Sequence, residues 1–123
     1  MALTLATTMR DAIADAVDTT VGTTATLEFA TAADAEVATL TLGNPAFGAS
    51  SSGVITLSGT PLSDTNATAG TMAKFFIKSG GTTTQITGTV STTGADINFA
   101  GGLTVGTGDT VTLTSFTITC PAS

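Results

Sequence analysis

Nine carboxylates, three cations and a single thiol are the groups in this 123-residue chain that could do chemistry. There is no histidine, tryptophan or tyrosine. The commonest general base and commonest metal ligand are therefore missing, and nucleophilic triads built on histidine are excluded. One cysteine without histidine does not make a zinc site. The carboxylates Asp34 and Glu36 flank a turn, and Asp64, Asp96 and Asp109 sit in or beside loops. A glycosidase pair or a calcium site would have to be assembled from these. No Asp-x-Asp-x-Asp run is present, and the aromatic platforms that sugar sites use are lacking. The expectation is solvated loop carboxylates, with no catalytic residue, no metal and no cofactor, and so no enzyme. A hydrolase using Asp64, Asp96 or Asp109 is the weakest of the readings.

The remaining motifs are structural. Asn66-Ala67-Thr68 matches a glycosylation acceptor, but a signal peptide is not expected at the N-terminus, since Arg10 and Asp11 interrupt the apolar run where its core should be. Gly101-Gly102 and Gly106-Thr107-Gly108 do not lie between a strand and a helix, so they read as turns rather than phosphate loops. Cys120 has no partner within the chain and reads as a buried thiol at a strand end. Lys74 and Lys78 share one strand face with Phe76 between them. One reading is an edge strand guarded against aggregation by lysines. The other is a contact patch for an acidic partner, with Phe76 as its anchor.

Composition bounds the class. Charged residues make up 10% of the chain, against roughly 25% in ordinary soluble domains. Threonine supplies about a quarter of all residues, and its β-branched side chain suits strands. Net charge is −6, with Arg10, Lys74 and Lys78 the only cations. Three scattered cations cannot neutralise a nucleic-acid backbone, and an anionic membrane would repel the chain. No run of 18 apolar residues is present, so no transmembrane helix is expected. The chain is expected to be made in a cytoplasm.

Two periodicities organise the chain. Over residues 8–18, Met9, Ile13, Ala16 and Val17 fall on one helical face at i, i+4, i+7 and i+8. Thr7 or Thr8 is the expected N-cap, Asp11 suits the first turn, and Gly22 is the expected stop. Asp11, Asp15 and Asp18 take the opposite face, the usual pattern of a solvated side. From residue 23 the period becomes 2. Strands are expected around Leu27 and Phe29, over 37–42, 54–57, 73–78, 85–90 and 97–99, and along a last long run over 110–120. About seven short strands with regular turns signal a sandwich or small barrel. Residues 43–53 read as a loop anchored by Phe47, and residues 61–70 as the most mobile segment. The chain divides into an arm and helix, 1–22, and a β domain, 23–123.

Taken in order, the pieces resemble a family. They are the helix at Met9–Val17, then Asn44-Pro45-Ala46-Phe47-Gly48 ahead of Gly53-Val54, then residues 69–78, a glycine-rich turn, and the threonine-rich closing run 110–119. This looks like the small proteins that decorate or cement the capsids of tailed bacteriophages. The resemblance implies a mainly β chain: a β-sandwich or jelly-roll-like body with one short N-terminal helix. It implies a virion structural protein on the outer capsid surface, bridging neighbouring major capsid proteins. It also implies a homo-oligomer, dimer or trimer, about a local symmetry axis. Such a protein needs no catalytic groups, and multivalent placement on a symmetric shell turns modest contacts into avidity. Candidate contacts are Leu3, Leu5, Met9 and Ile13 on the arm and helix, with Lys74, Phe76 and Lys78 on the strand. The alternative is a tail or fibre-associated β-sandwich module whose loops read a host-surface glycan.

Overall fold

The computed structural model describes residues 3–121. The chain is mainly β, with one helix and, rather than the about seven strands expected, eleven short ones among these residues. Helix α1 spans Thr7–Val21. Strands β1 (Thr26–Ala30), β2 (Glu36–Thr41), β6 (Lys74–Ser79), β7 (Thr83–Ser91) and β8 (Ile97–Asn98) form a five-stranded sheet in the order β2-β1-β6-β7-β8. Its neighbours are antiparallel except β7 and β8, which run parallel. Three two-stranded ladders complete the body. They pair β3 (Val54–Thr56) with β11 (Thr117–Thr119), β4 (Leu62–Asp64) with β10 (Val111–Leu113), and β5 (Gly70–Thr71) with β9 (Thr104–Val105).

Period-2 alternation selects the inner face of the large sheet. Leu27 and Phe29 on β1, and Phe75 and Ile77 on β6, are buried, while Thr26, Glu28, Lys74, Phe76 and Lys78 lie on the outer face. The register sets Phe29 opposite Phe75 and Leu27 opposite Ile77, so the large apolar side chains meet across the strands. One core then gathers Leu40, Phe47, Ile55, Val111, Leu113 and Phe116 from the remaining elements, together with Ala14 and Val21 of the helix.

Several expectations need correction. The lysine-bearing strand is not an edge: β6 lies between β1 and β7 at the centre of the sheet. The long run at 110–120 is two strands, because its inward residues change phase. Val111 and Leu113 point inward, and so does Phe116, one step out of alternation. The strand breaks at Thr114-Ser115 to allow this, and the chain passes from the β4 ladder to the β3 ladder. Residues 61–70, expected to be the most mobile, are stitched to β2 and to the loop at 106–109. The Asp64 carboxylate accepts the Thr39 N–H at 2.9 Å, the Thr68 N–H donates to the Val37 carbonyl at 2.7 Å, and the Gly108 N–H donates to the Ala67 carbonyl at 2.8 Å. These bonds cover the free edge of β2.

Phe116 is the hub of the aromatic packing. Its ring lies edge-on to Phe75 at 5.5 Å between centroids and is tilted against Phe47 at 6.4 Å. The position of Phe75 depends in turn on Gly88, its register partner on β7. A Cβ at residue 88 would stand 2.3 Å from Phe75 Cε1 and 2.4 Å from Cζ. The ring therefore occupies the space a side chain would need. Substituting Gly88→Ala should displace Phe75 and cost about 1–3 kcal/mol, the usual range for overpacking. Urea unfolding checks this as a lowered midpoint at unchanged slope.

Candidate interaction surface

The surface is set by how the helix is seated. Asp11, Asp15 and Asp18 recur at i, i+4 and i+7, which places them on one helical face spanning roughly 10 Å of axis. Each accepts a backbone N–H from the loop at 47–53. Gly53 donates to Asp11 at 2.7 Å, Ser50 to Asp15 at 3.2 Å and Phe47 to Asp18 at 3.0 Å. Helix numbers rise as loop numbers fall, so helix and loop lie antiparallel. The acidic face, expected to be solvated, is thus the docked face. It meets a row of peptide donors that a loop without its own ladder must satisfy elsewhere.

Close approach at the start of this contact demands glycine. Gly53 has φ +77°, and a Cβ there would sit 3.0 Å from both Arg10 Cβ and the Cys120 carbonyl oxygen. The Arg10 guanidinium donates to the Ser52 carbonyl and to Thr7 Oγ1, each at 3.2 Å. The expected N-cap is corrected too. The helix begins at Thr7, its cap position is Ala6, and no side chain caps it. Asp11 thus falls beyond the first turn and serves the loop instead. Gly22 ends the helix as expected, its N–H donating to the Asp18 carbonyl at 3.1 Å.

Seating the helix by Asp11, Asp15 and Asp18 turns Met9, Ile13 and Ala16 outward. Met9 is 53% exposed and Ile13 43%, and Leu3 on the arm ahead of the helix is 75% exposed. Leu5 is half-buried. Ile13, Ala16, Val17 and Thr20 form one wall of a shallow apolar groove whose other wall is Gln85 and Ile86 of β7. The second set of candidate contacts, Lys74, Phe76 and Lys78, lies on the outer face of the large sheet, whereas the helix packs into the core beneath it. The structure therefore does not bring the two sets together. Both lysines are paired within the chain: Lys74 with Asp34 at 2.5 Å and Lys78 with Glu28. The Lys78 ammonium also stands 5.6 Å from the centroid of the Phe76 ring.

The loop carboxylates act on the backbone. Asp64 accepts the N–H groups of Thr39 and Asn66. Asp109 accepts the Gly106 N–H at 2.8 Å. Glu36 accepts the Thr39 hydroxyl. Asp96 accepts the N–H and the hydroxyl of Thr89, at 2.8 and 3.0 Å. Those two bonds, the backbone one foremost, hold the Asp96 carboxyl below its ordinary pKa. Among the described residues no group of three or more His, Cys, Asp or Glu could hold a metal ion. Cys120 is half-buried rather than buried, just beyond the end of β11. No helix among the described residues is long and apolar enough to cross a membrane.

Sequence reasoning named Met9 and Ile13 but missed what turns them outward. The available signal was the helical spacing of the three aspartates beside a loop rich in small residues. Comparison with protein-family models, curated proteins and solved structures finds no match for the chain.

Two outcomes follow from the carboxylates. Asp18→Ala leaves the N–H of the buried Phe47 without its acceptor and should cost about 1–3 kcal/mol, with the exposed Asp15→Ala costing less. Urea midpoints of the two variants give the order. Asp96 has a lowered folded pKa, so its contribution is present above the ordinary carboxylate value of about 3.9 and fades as pH falls through the folded value. The stability difference between wild type and Asp96→Asn should hold steady above about pH 5 and shrink below about pH 4, measured by urea unfolding across pH.

Proposed function

We propose that this chain is a virion structural protein of the decoration or cement type. It binds the outer capsid surface of a tailed bacteriophage, bridges neighbouring major capsid proteins, associates with its own copies about a local symmetry axis, and catalyses nothing. In this reading the large sheet and the facing ladders are the two layers of a β-sandwich or jelly-roll-like body. The observation that carries the reading is the outward apolar row Met9, Ile13 and Ala16 on a helix held by its acidic face. An amphipathic helix in a small domain ordinarily turns its apolar stripe to its own core. Here the stripe is offered to a partner, and the groove against Ile86 extends it. The sequence resemblance to capsid cement proteins supplies the identity of that partner.

The glycan-binding alternative rests on a different observation. A cleft of about 560 Å³ between β8 and the β10–β11 link is lined by Asn98, Thr112, Thr114 and Ser115, with Phe99 and Phe116 on its apolar side. Hydroxyls and an amide around a ring face suit a sugar, but no tyrosine or tryptophan is available to serve as a platform.

Co-sedimentation with assembled shells of the major capsid protein separates the two. The wild-type chain should pellet with shells, and Met9→Asp combined with Ile13→Asp should weaken that binding at least about tenfold, the loss expected for desolvated apolar anchors. Circular dichroism should be unchanged, because neither side chain is in the core. Undiminished shell binding by the folded double variant sinks the helix as the contact. Glycan-array hits without co-sedimentation would favour the alternative.

A further inference from the structure

Two strand edges face each other across an open slot. On β7 the ladder to β6 uses alternate residues. The Val90 N–H donates to the Ala73 carbonyl, so Gly88 and Ile86 also turn their peptide groups toward β6. Thr89 and Thr87 then turn theirs away, and beyond them Gln85 is the unpaired residue of a bulge. Thr89 is capped by Asp96, and β8 covers only Val90 and Ser91. Among the described residues nothing covers the peptide group of Thr87. On β11 the Cys120 N–H donates to the Gly53 carbonyl, and the Phe116 carbonyl accepts from the Leu57 N–H. Peptide groups of Thr117 and Thr119 therefore turn away from β3. A groove of about 430 Å³ runs between Ile86, Thr87 and Gly88 on one side and Thr117, Ile118 and Thr119 on the other, with Phe75 and Phe116 at its base and Asp96, bonded to Thr89, also lining it. No lysine, arginine or proline guards either edge, although such guards are what usually prevent pairing at open edges.

The arm has the matching pattern. Leu3 and Leu5 alternate with Thr4 and Ala6, and Ala6 is extended, with φ −64° and ψ 153°. Leu3 stands 75% exposed. Residues 3–6 carry no charged side chain, so the arm can approach a second copy of net charge −6 without side-chain repulsion.

We infer that the arm of one copy, residues 3–6, adds as a β-strand to the open β7 edge of a second copy, with Leu3 and Leu5 over Phe75 and Phe116. The added strand takes up the peptide group of Thr87, and its period-2 leucines fill the apolar base, which is strand addition with the donor supplied in trans. This rests on the self-association in the proposed function and is independent of the shell. The helix row then remains free for the capsid, so arm and helix serve different partners.

Size-exclusion chromatography with light scattering tests the association. The wild-type chain should run as an oligomer. Thr87→Pro, which removes an N–H that β6 does not use, and Leu3→Asp, outside the core, should each convert it to monomer with an unchanged circular dichroism spectrum. Disulfide trapping tests the geometry. In a Cys120→Ser background, a Leu3→Cys chain mixed with an Ile86→Cys chain should form a covalent heterodimer, because Ile86 shares the inner face with Phe75. A monomeric wild type overturns both the inference and the self-association. An oligomer unaffected by either substitution, or a Leu3→Cys/Ile86→Cys chain that closes within one monomer, overturns the inference alone.

Discussion

Three carboxylate-to-peptide hydrogen bonds, from the N–H groups of Gly53, Ser50 and Phe47 to Asp11, Asp15 and Asp18, govern much of this structure. A loop of twelve residues between two strands needs acceptors for its donors, and here one helix face supplies them at 3.6-residue spacing. Anchoring the Phe47 peptide fixes where its side chain enters the core. That side chain meets Phe116, Phe116 meets Phe75, and Phe75 occupies the space that Gly88 leaves open. The helix, the loop, the closing strand pair and the central sheet are thus tied by one line of contacts. The same bonds decide which way the apolar row of the helix points.

Phe116 also explains the topology at the end of the chain. A single continuous strand would have sent it to the same side as Thr112 and Thr114, away from Val111 and Leu113. Breaking the strand restores its burial and lets β10 and β11 serve two different ladders. One consequence is that β11 presents an edge to the slot rather than closing against β7.

Much of this was legible in the residues. The 3.6 period of Met9, Ile13, Ala16 and Val17 with Gly22 behind it gave the helix, and alternation gave β1, β2, β6 and β7. What the helix buried was not legible, because hydropathy ranks Met and Ile above Asp, whereas the partner here is a row of N–H groups. The split of the last run was half visible: each of its two faces is apolar over only part of its length, which is the mark of a phase change. Strands β4, β5 and β9 have two or three residues and no alternation to detect. Lys74 and Lys78 misled because lysine on a strand signals an edge only when solvent is its partner, and here Asp34 and Glu28 are. The slot between β7 and β11 depends on which strands pair at long range, so no local pattern announces it. The candidate contacts Met9 and Ile13 were nameable from spacing, but their outward aim was not.

Holding a helix by polar bonds rather than by its apolar stripe changes how it would come off. Only Ala14 and Val21 of α1 are fully buried, so undocking exposes little apolar surface. Such an opening carries a small heat-capacity change and little denaturant sensitivity, unlike unfolding of the sheet. The helix is therefore a separable, low-stability unit, while its loop stays held in the core by Phe47. In native-state hydrogen exchange, the Phe47 and Gly53 amides would open by a route nearly independent of denaturant, while those of β1 and β6 would follow global unfolding. A partner that grips Met9 and Ile13 would pull on the least firmly held element of the molecule.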